Sequence, residues 1–145
     1  MIKNFKLAFG LALGLWALIF IIISAILVMP LPSGLMKTLT TLVAPVAGFI
    51  LAKIYFKKSP GTITSGLILA VFWIIVGTVL DLLVTIQYVK GSGSYLDGLK
   101  DFYGDWGLWL SFVLTIGAVV AAAFLTHGGE LMKPTTAPMN QPPVV

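Results

Sequence analysis

The 145 residues contain no cysteine, which excludes disulfides, thiolate nucleophiles and sulfur-ligated metals. Arginine is absent as well, so the formal net charge of +4 comes from lysine alone. A headgroup or phosphate enzyme therefore lacks its bidentate cation. Lysines that flank apolar runs serve orientation in a bilayer, and no nucleic-acid partner is expected. The single histidine, His127, has no second imidazole with which to share a metal. Neither a metal nor a cofactor is expected. Charged residues amount to only 10% of the chain, and one acid, Asp81, falls inside an apolar run. With no nucleophile and base to pair and no second carboxylate beside Asp81, the sequence predicts a protein that is not an enzyme.

Apolar residues are abundant instead. They make up 59% of the chain, with a mean hydropathy of +1.05, against roughly 45–50% in soluble domains. The surplus lies in four runs of near-bilayer length, and hydrocarbon obliges each to satisfy its own backbone. Their lack of period-two alternation argues for helices over barrel strands. The expected fold is an all-α membrane protein, a four-transmembrane-helix bundle over residues 1–127 with spans at about 7–29, 35–56, 64–88 and 106–126. A disordered Pro-rich tail is expected over 128–145, where Pro134, Pro138, Pro142 and Pro143 neither propagate helix nor bury surface. The run Leu7–Met29 is longer than the roughly 7–15 residues of a signal-peptide core, so the first span is read as retained. Pro30, Pro32, Ser33 and Gly34 mark a tight turn after it, and Lys57 to Gly61 mark another after the second span.

Lys3, Lys6, Lys53, Lys57, Lys58 and Lys133 fall on one side, and Lys37, Lys90 and Lys100 on the other. The asymmetry predicts a multi-pass cell-membrane protein with both termini cytoplasmic. Tyr88, Tyr95, Tyr103, Trp106 and Trp109 gather at the outer boundary, with Tyr55 and Phe56 at the inner surface. In the third loop Tyr95, Leu96, Leu99, Phe102 and Tyr103 recur at helical spacing, opposite Asp97, Lys100 and Asp101. This predicts a short outer interfacial helix that fills the gap between two spans or caps the bundle.

An unpaired carboxylate inside a span costs roughly 2.5–3.5 kcal/mol, so Asp81 should face the bundle and not lipid. Gly66, Ala70, Trp73 and Gly77 share its helix face. Ser24, Thr40, Thr41, Ser111 and Trp109 are hydrogen-bond candidates at similar depth, and Pro45 frees the Thr41 carbonyl toward the same region. Asp81 with Ser24, Thr41 and Ser111 thus forms the candidate intramembrane polar site. Gly10, Gly14, Ala44, Gly48, Gly66, Ala70, Gly77, Gly117 and Ala121 permit close helix approach and are read as packing positions. Asp97, Asp101 and Asp105 recur every four residues, but the break expected at Gly104 argues against a cation site there. Gly10–Gly14 and Trp16–Ser24 echo Gly66–Ala70 and Trp73–Asp81, a pattern that duplicated hairpins related by an axis along the membrane normal would give and that chance among apolar helices gives more often.

The run Gly66–Ala70, Trp73, Gly77, Leu80 and Asp81, following a lysine-rich turn, resembles small uncharacterised four-span membrane proteins of bacteria and archaea. The resemblance implies the four-span topology and no assigned activity. Two functional readings follow. The sequence favours a structural or accessory bundle that associates with the lipid bilayer and with copies of itself or a larger membrane complex. The alternative is an oligomeric small transporter or channel that uses Asp81 for proton or cation coupling.

Overall fold

The computed structural model describes residues 2, 4–89 and 93–131, with Val89 and residues 127–131 described by backbone alone. Helix α1 covers Phe5–Leu27 and starts where the Asn4 side chain accepts the Leu7 N–H at 3.2 Å. It stops short of Pro30, which cannot donate to a continuing helix. Helix α2 covers Ser33–Lys58 and carries Pro45 in its interior. Helix α3 covers Ile63–Leu80, widens into a π-turn over Asp81–Thr85, and resumes over Ile86–Val89. The short helix α4, Tyr95–Gly104, opens on a capping box in which Ser94 and Asp97 satisfy each other's backbone. The last helix, α5, covers Trp106–Leu131.

The first three spans begin and end within two residues of the positions predicted from sequence. In α5 the apolar stretch Trp106–Thr126 matches, but the helix continues to Leu131. Residues 128–131, assigned above to the tail, are therefore helical. Gly128 and Gly129 weaken a helix by about 1 kcal/mol each without breaking it, and no proline intervenes before Pro134. The remaining tail, Lys3, Lys90, Gly91, Ser92 and Lys133, together with the side chains of His127 and Glu130, lie outside the described residues.

Helix α1 packs on α2 and α3, and α5 packs on the same two from the other side. The four long helices thus form a ring in which α1 faces α5 across the centre. All four are long and apolar enough to cross a bilayer, and their outward faces carry residues such as Ile21, Ile75, Val113 and Leu125. The chain is a multi-pass helical membrane protein. The start of α1, the α2–α3 turn and the far end of α5 share one end of the bundle, the terminal end; α4 lies at the other, the loop end.

The ring does not reproduce the hairpin repeat. A two-fold along the membrane normal exchanges helices across a ring, whereas α1 and α3 are neighbours. The echo also pairs Trp16 with Trp73, but Phe5 meets Phe72, with ring centroids 5.5 Å apart, and Trp16 meets Asp81. The two Trp positions therefore lie at different depths, and similarity among apolar helices explains the echo.

The terminal half is closed by small residues. Ala8, Ala12, Ala52, Leu69, Ala122 and Ala123 are buried to 2% exposure or less. At Gly66 an added Cβ would stand 2.9 Å from the Ala123 Cβ and 3.2 Å from the Val120 Cα, and at Gly48 it would stand 3.1 Å from a Thr115 methyl. Gly48, Gly66 and buried Ala70 thus lie where helices approach closely. The others differ. Gly10, Gly14, Gly117 and Ala121 face outward, because α1 turns Ala8, Ala12 and Leu15 inward and α5 turns Val119, Ala122 and Ala123 inward. Ala44 and Gly77 line a cavity. Tyr55 and Phe56 are not interfacial anchors but buried core, their rings edge to face at 5.2 Å. The tight turn brings Gly61 against the Phe56 ring and covers it.

Candidate functional site

The loop half of the bundle does not close as the terminal half does. Large side chains, Trp16, Phe20 and Phe112, replace the alanines there, and they hold the helices around a cavity of about 390 Å³. All four spans and α4 contribute to its wall. Its volume lies in the range of sites for drug-sized ligands, roughly 300–1,000 Å³.

Asp81 lines this cavity at the first residue of the π-turn. Its backbone N–H is shared between the Gly77 and Thr78 carbonyls, and its own carbonyl accepts from Ile86 five residues on. Such single π-turns are costly in regular helices and recur at functional positions. The Tyr95 hydroxyl of α4 donates to the Leu82 carbonyl within the turn at 2.9 Å, tying α4 to it.

The carboxylate is held by two donors. Trp16 Nε1 reaches Oδ1 at 2.9 Å from α1, and Thr85 Oγ1 reaches the same oxygen at 2.6 Å from one turn further along α3. Oδ2 accepts no hydrogen bond among the described residues. Beside it the Trp16 and Phe20 rings stack at 5.4 Å, and Tyr88 meets Phe20 edge on at 5.9 Å. The floor is Trp73, whose indole N–H donates to the Ala8 carbonyl at 2.9 Å and so fastens α3 to α1 below the cavity.

Ser24, Thr41 and Ser111 line the same cavity, so the structure brings together all four residues of the polar site expected from sequence. None of the three bonds Asp81. The Thr41 hydroxyl turns back to the Lys37 carbonyl at 2.8 Å, and Thr40 likewise bonds carbonyls of its own helix. Trp109 donates instead to the Tyr103 carbonyl at 2.9 Å, where α4 ends. The true partner, Trp16, has a sequence trace: an indole N–H inside a span needs an acceptor, and the spans offer one carboxylate. Thr85 is traceable too, since it stands four residues after Asp81 on one helix face.

At the loop end Phe102, Asp101 and Asp105 border the cavity. Asp105 accepts the Gly107 N–H at 3.1 Å and pairs with Lys37 at 3.1 Å, while the Lys37 ammonium also sits 5.3 Å from the centre of the Trp106 ring. The Gly107 N–H first, and Lys37 next, hold the Asp105 carboxyl below the usual carboxylate range. The Tyr103 hydroxyl is buried near Asp81 and Thr78 without a bond of good geometry. Burial, and then the Asp81 charge, push this phenol above its ordinary range, which keeps it a neutral hydroxyl. The three loop aspartates are divided among separate tasks, Asp97 capping α4, Asp101 lining the cavity and Asp105 on Lys37, and no cluster of three metal-ligating side chains occurs among the described residues. No protein-family model matches this chain, and neither curated proteins nor solved structures yield a match.

Proposed function

We propose that the protein is a small membrane transporter or channel that binds its ligand in the loop-half cavity, with Asp81 as the polar group at its inner wall. One observation carries the reading: a cavity of about 390 Å³ runs from the loop end to Asp81 and stops on Trp73, above a half closed by alanines. A purely structural bundle gains nothing from keeping such a volume open beside a carboxylate, since unfilled space and an incompletely bonded acid both reduce stability. The role is binding and passage, not catalysis. With the lysine-rich terminal end in the cytoplasm, following Lys6, Lys53, Lys57 and Lys58, the cavity opens away from the cytoplasm. One chain supplies the whole cavity; passage across the closed half requires the helices to shift or a further copy to join.

The cysteine-free sequence makes the test direct. Ser111→Cys and Thr41→Cys place thiols on the cavity wall, and Ala122→Cys places one in the closed half. A membrane-impermeant thiol reagent, applied to the loop side of sealed vesicles, is expected to modify the first two and spare the third. Protection of all three thiols contradicts the proposal and favours the accessory bundle.

A further inference from the structure

We infer that the ligand of this cavity is an amphipathic organic monovalent cation, an ammonium group carried on an apolar body; this rests on the cavity being the binding site. Three features of the wall point the same way. The first is charge: the carboxylates Asp81, Asp101 and Asp105 all line the cavity, and among the described residues no lysine does. Asp105 is offset by Lys37, which leaves Asp101 and Asp81 without a basic partner among the described residues. The second is the disposition of Asp81. Both of its donors converge on Oδ1, at 2.9 and 2.6 Å, and they fix the carboxylate while leaving Oδ2 for a ligand. A carboxylate held in place before the ligand arrives loses little freedom on binding.

The third is the character of the surrounding surface. The Trp16–Phe20 stack and the Tyr88 edge stand beside Asp81, and Phe102 and Phe112 enclose the space from α4 and α5. Aromatic faces attract cations through their quadrupoles and accept apolar groups by burial, so they suit both halves of an alkyl or aryl ammonium. An inorganic cation is a poor fit: it needs several oxygen ligands in close order, and no three metal-ligating side chains cluster among the described residues. An anion meets carboxylates on the wall. A neutral apolar molecule would fill the volume but leave Oδ2 without a partner.

Benzyltrimethylammonium and neopentylbenzene share one shape and differ by a positive charge, and benzylsulfonate supplies the opposite sign. Their binding is measured by calorimetry on the full chain in lipid nanodiscs, with empty nanodiscs subtracted. The cation is expected to bind about ten-fold more tightly than either companion. Asp81→Asn, which keeps an oxygen for Trp16 and Thr85, should abolish that preference, and Asp81→Glu should retain most of it. Gly77→Leu fills the cavity from a position where an added Cβ meets nothing within 4 Å, and it should abolish binding of the cation while the thermal unfolding profile stays native. Equal affinity for cation and neutral isostere, a preference that survives Asp81→Asn, or failure of the cation to bind overturns the inference. In each of those cases the impermeant-thiol result decides separately whether the cavity itself remains the site: labelling at Ser111→Cys with no cation preference leaves an open pocket for another ligand, and protection removes both.

Discussion

At Asp81 one carboxylate oxygen receives an indole from a neighbouring span and a hydroxyl from its own, which couples α1 to α3 within the open half, eight residues beyond the Trp73 floor. An asparagine retains the acceptor that both donors use. Asp81→Asn is therefore expected to change the thermal midpoint in detergent little, whereas Asp81→Leu leaves the Trp16 N–H without an acceptor and should lower stability by about 1–2 kcal/mol. Equal destabilisation by the two variants would show that the charge, not the hydrogen bonds, holds the helices. That Asp81 turns away from lipid is legible in the sequence, because an unpaired acid inside a span is costly. Its partners were harder to read. Ser24 and Ser111 match Asp81 in depth, but depth does not give rotation about the helix axis, and a tryptophan in an apolar run reads first as bulk. Thr41 lines the cavity, although its hydroxyl prefers a carbonyl one turn back on α2.

Among the elements, glycines with the same sequence appearance play opposite parts. Gly66 admits α5 so closely that a methyl group would meet the Val120 Cα at 3.2 Å, while Gly117 faces outward with nothing within 4 Å. Gly66→Ala is expected to destabilise by about 1–3 kcal/mol through overpacking. Gly117→Ala should be neutral or stabilise by up to about 1 kcal/mol through the loss of backbone freedom in the unfolded chain. Unfolding midpoints in detergent separate the two; comparable losses at both positions would contradict the packing described. Helix ends were legible because prolines, glycines and lysines punctuate them, and α4 was legible from its alternating faces. The π-turn was not, since one extra residue in a turn leaves an entirely apolar pattern unchanged. The same uniformity hid which small-residue face points inward: when lipid and core are both apolar, hydrophobicity does not distinguish them. It also produced an apparent repeat that the helix order does not support.

For the whole molecule, the decisive property is the contrast between its halves. Alanine and glycine draw the helices together toward the terminal end, and aromatic side chains hold them apart toward the loop end, where α4 borders the cavity. Four spans and their boundaries follow from composition, but an internal cavity depends on which side chains meet, and that is a property of three-dimensional register. Water contact at Asp81 tests the account most directly. In bilayers containing protein labelled with carbon-13, magnetisation transferred from water should reach the Asp81 carboxyl, assigned by its loss in Asp81→Asn, nearly as fast as it reaches Asp101, and should leave the Ala122 and Ala123 methyls dark. An Asp81 carboxyl as dark as those methyls would mean that the loop half is dry, and the binding cavity would have to be abandoned.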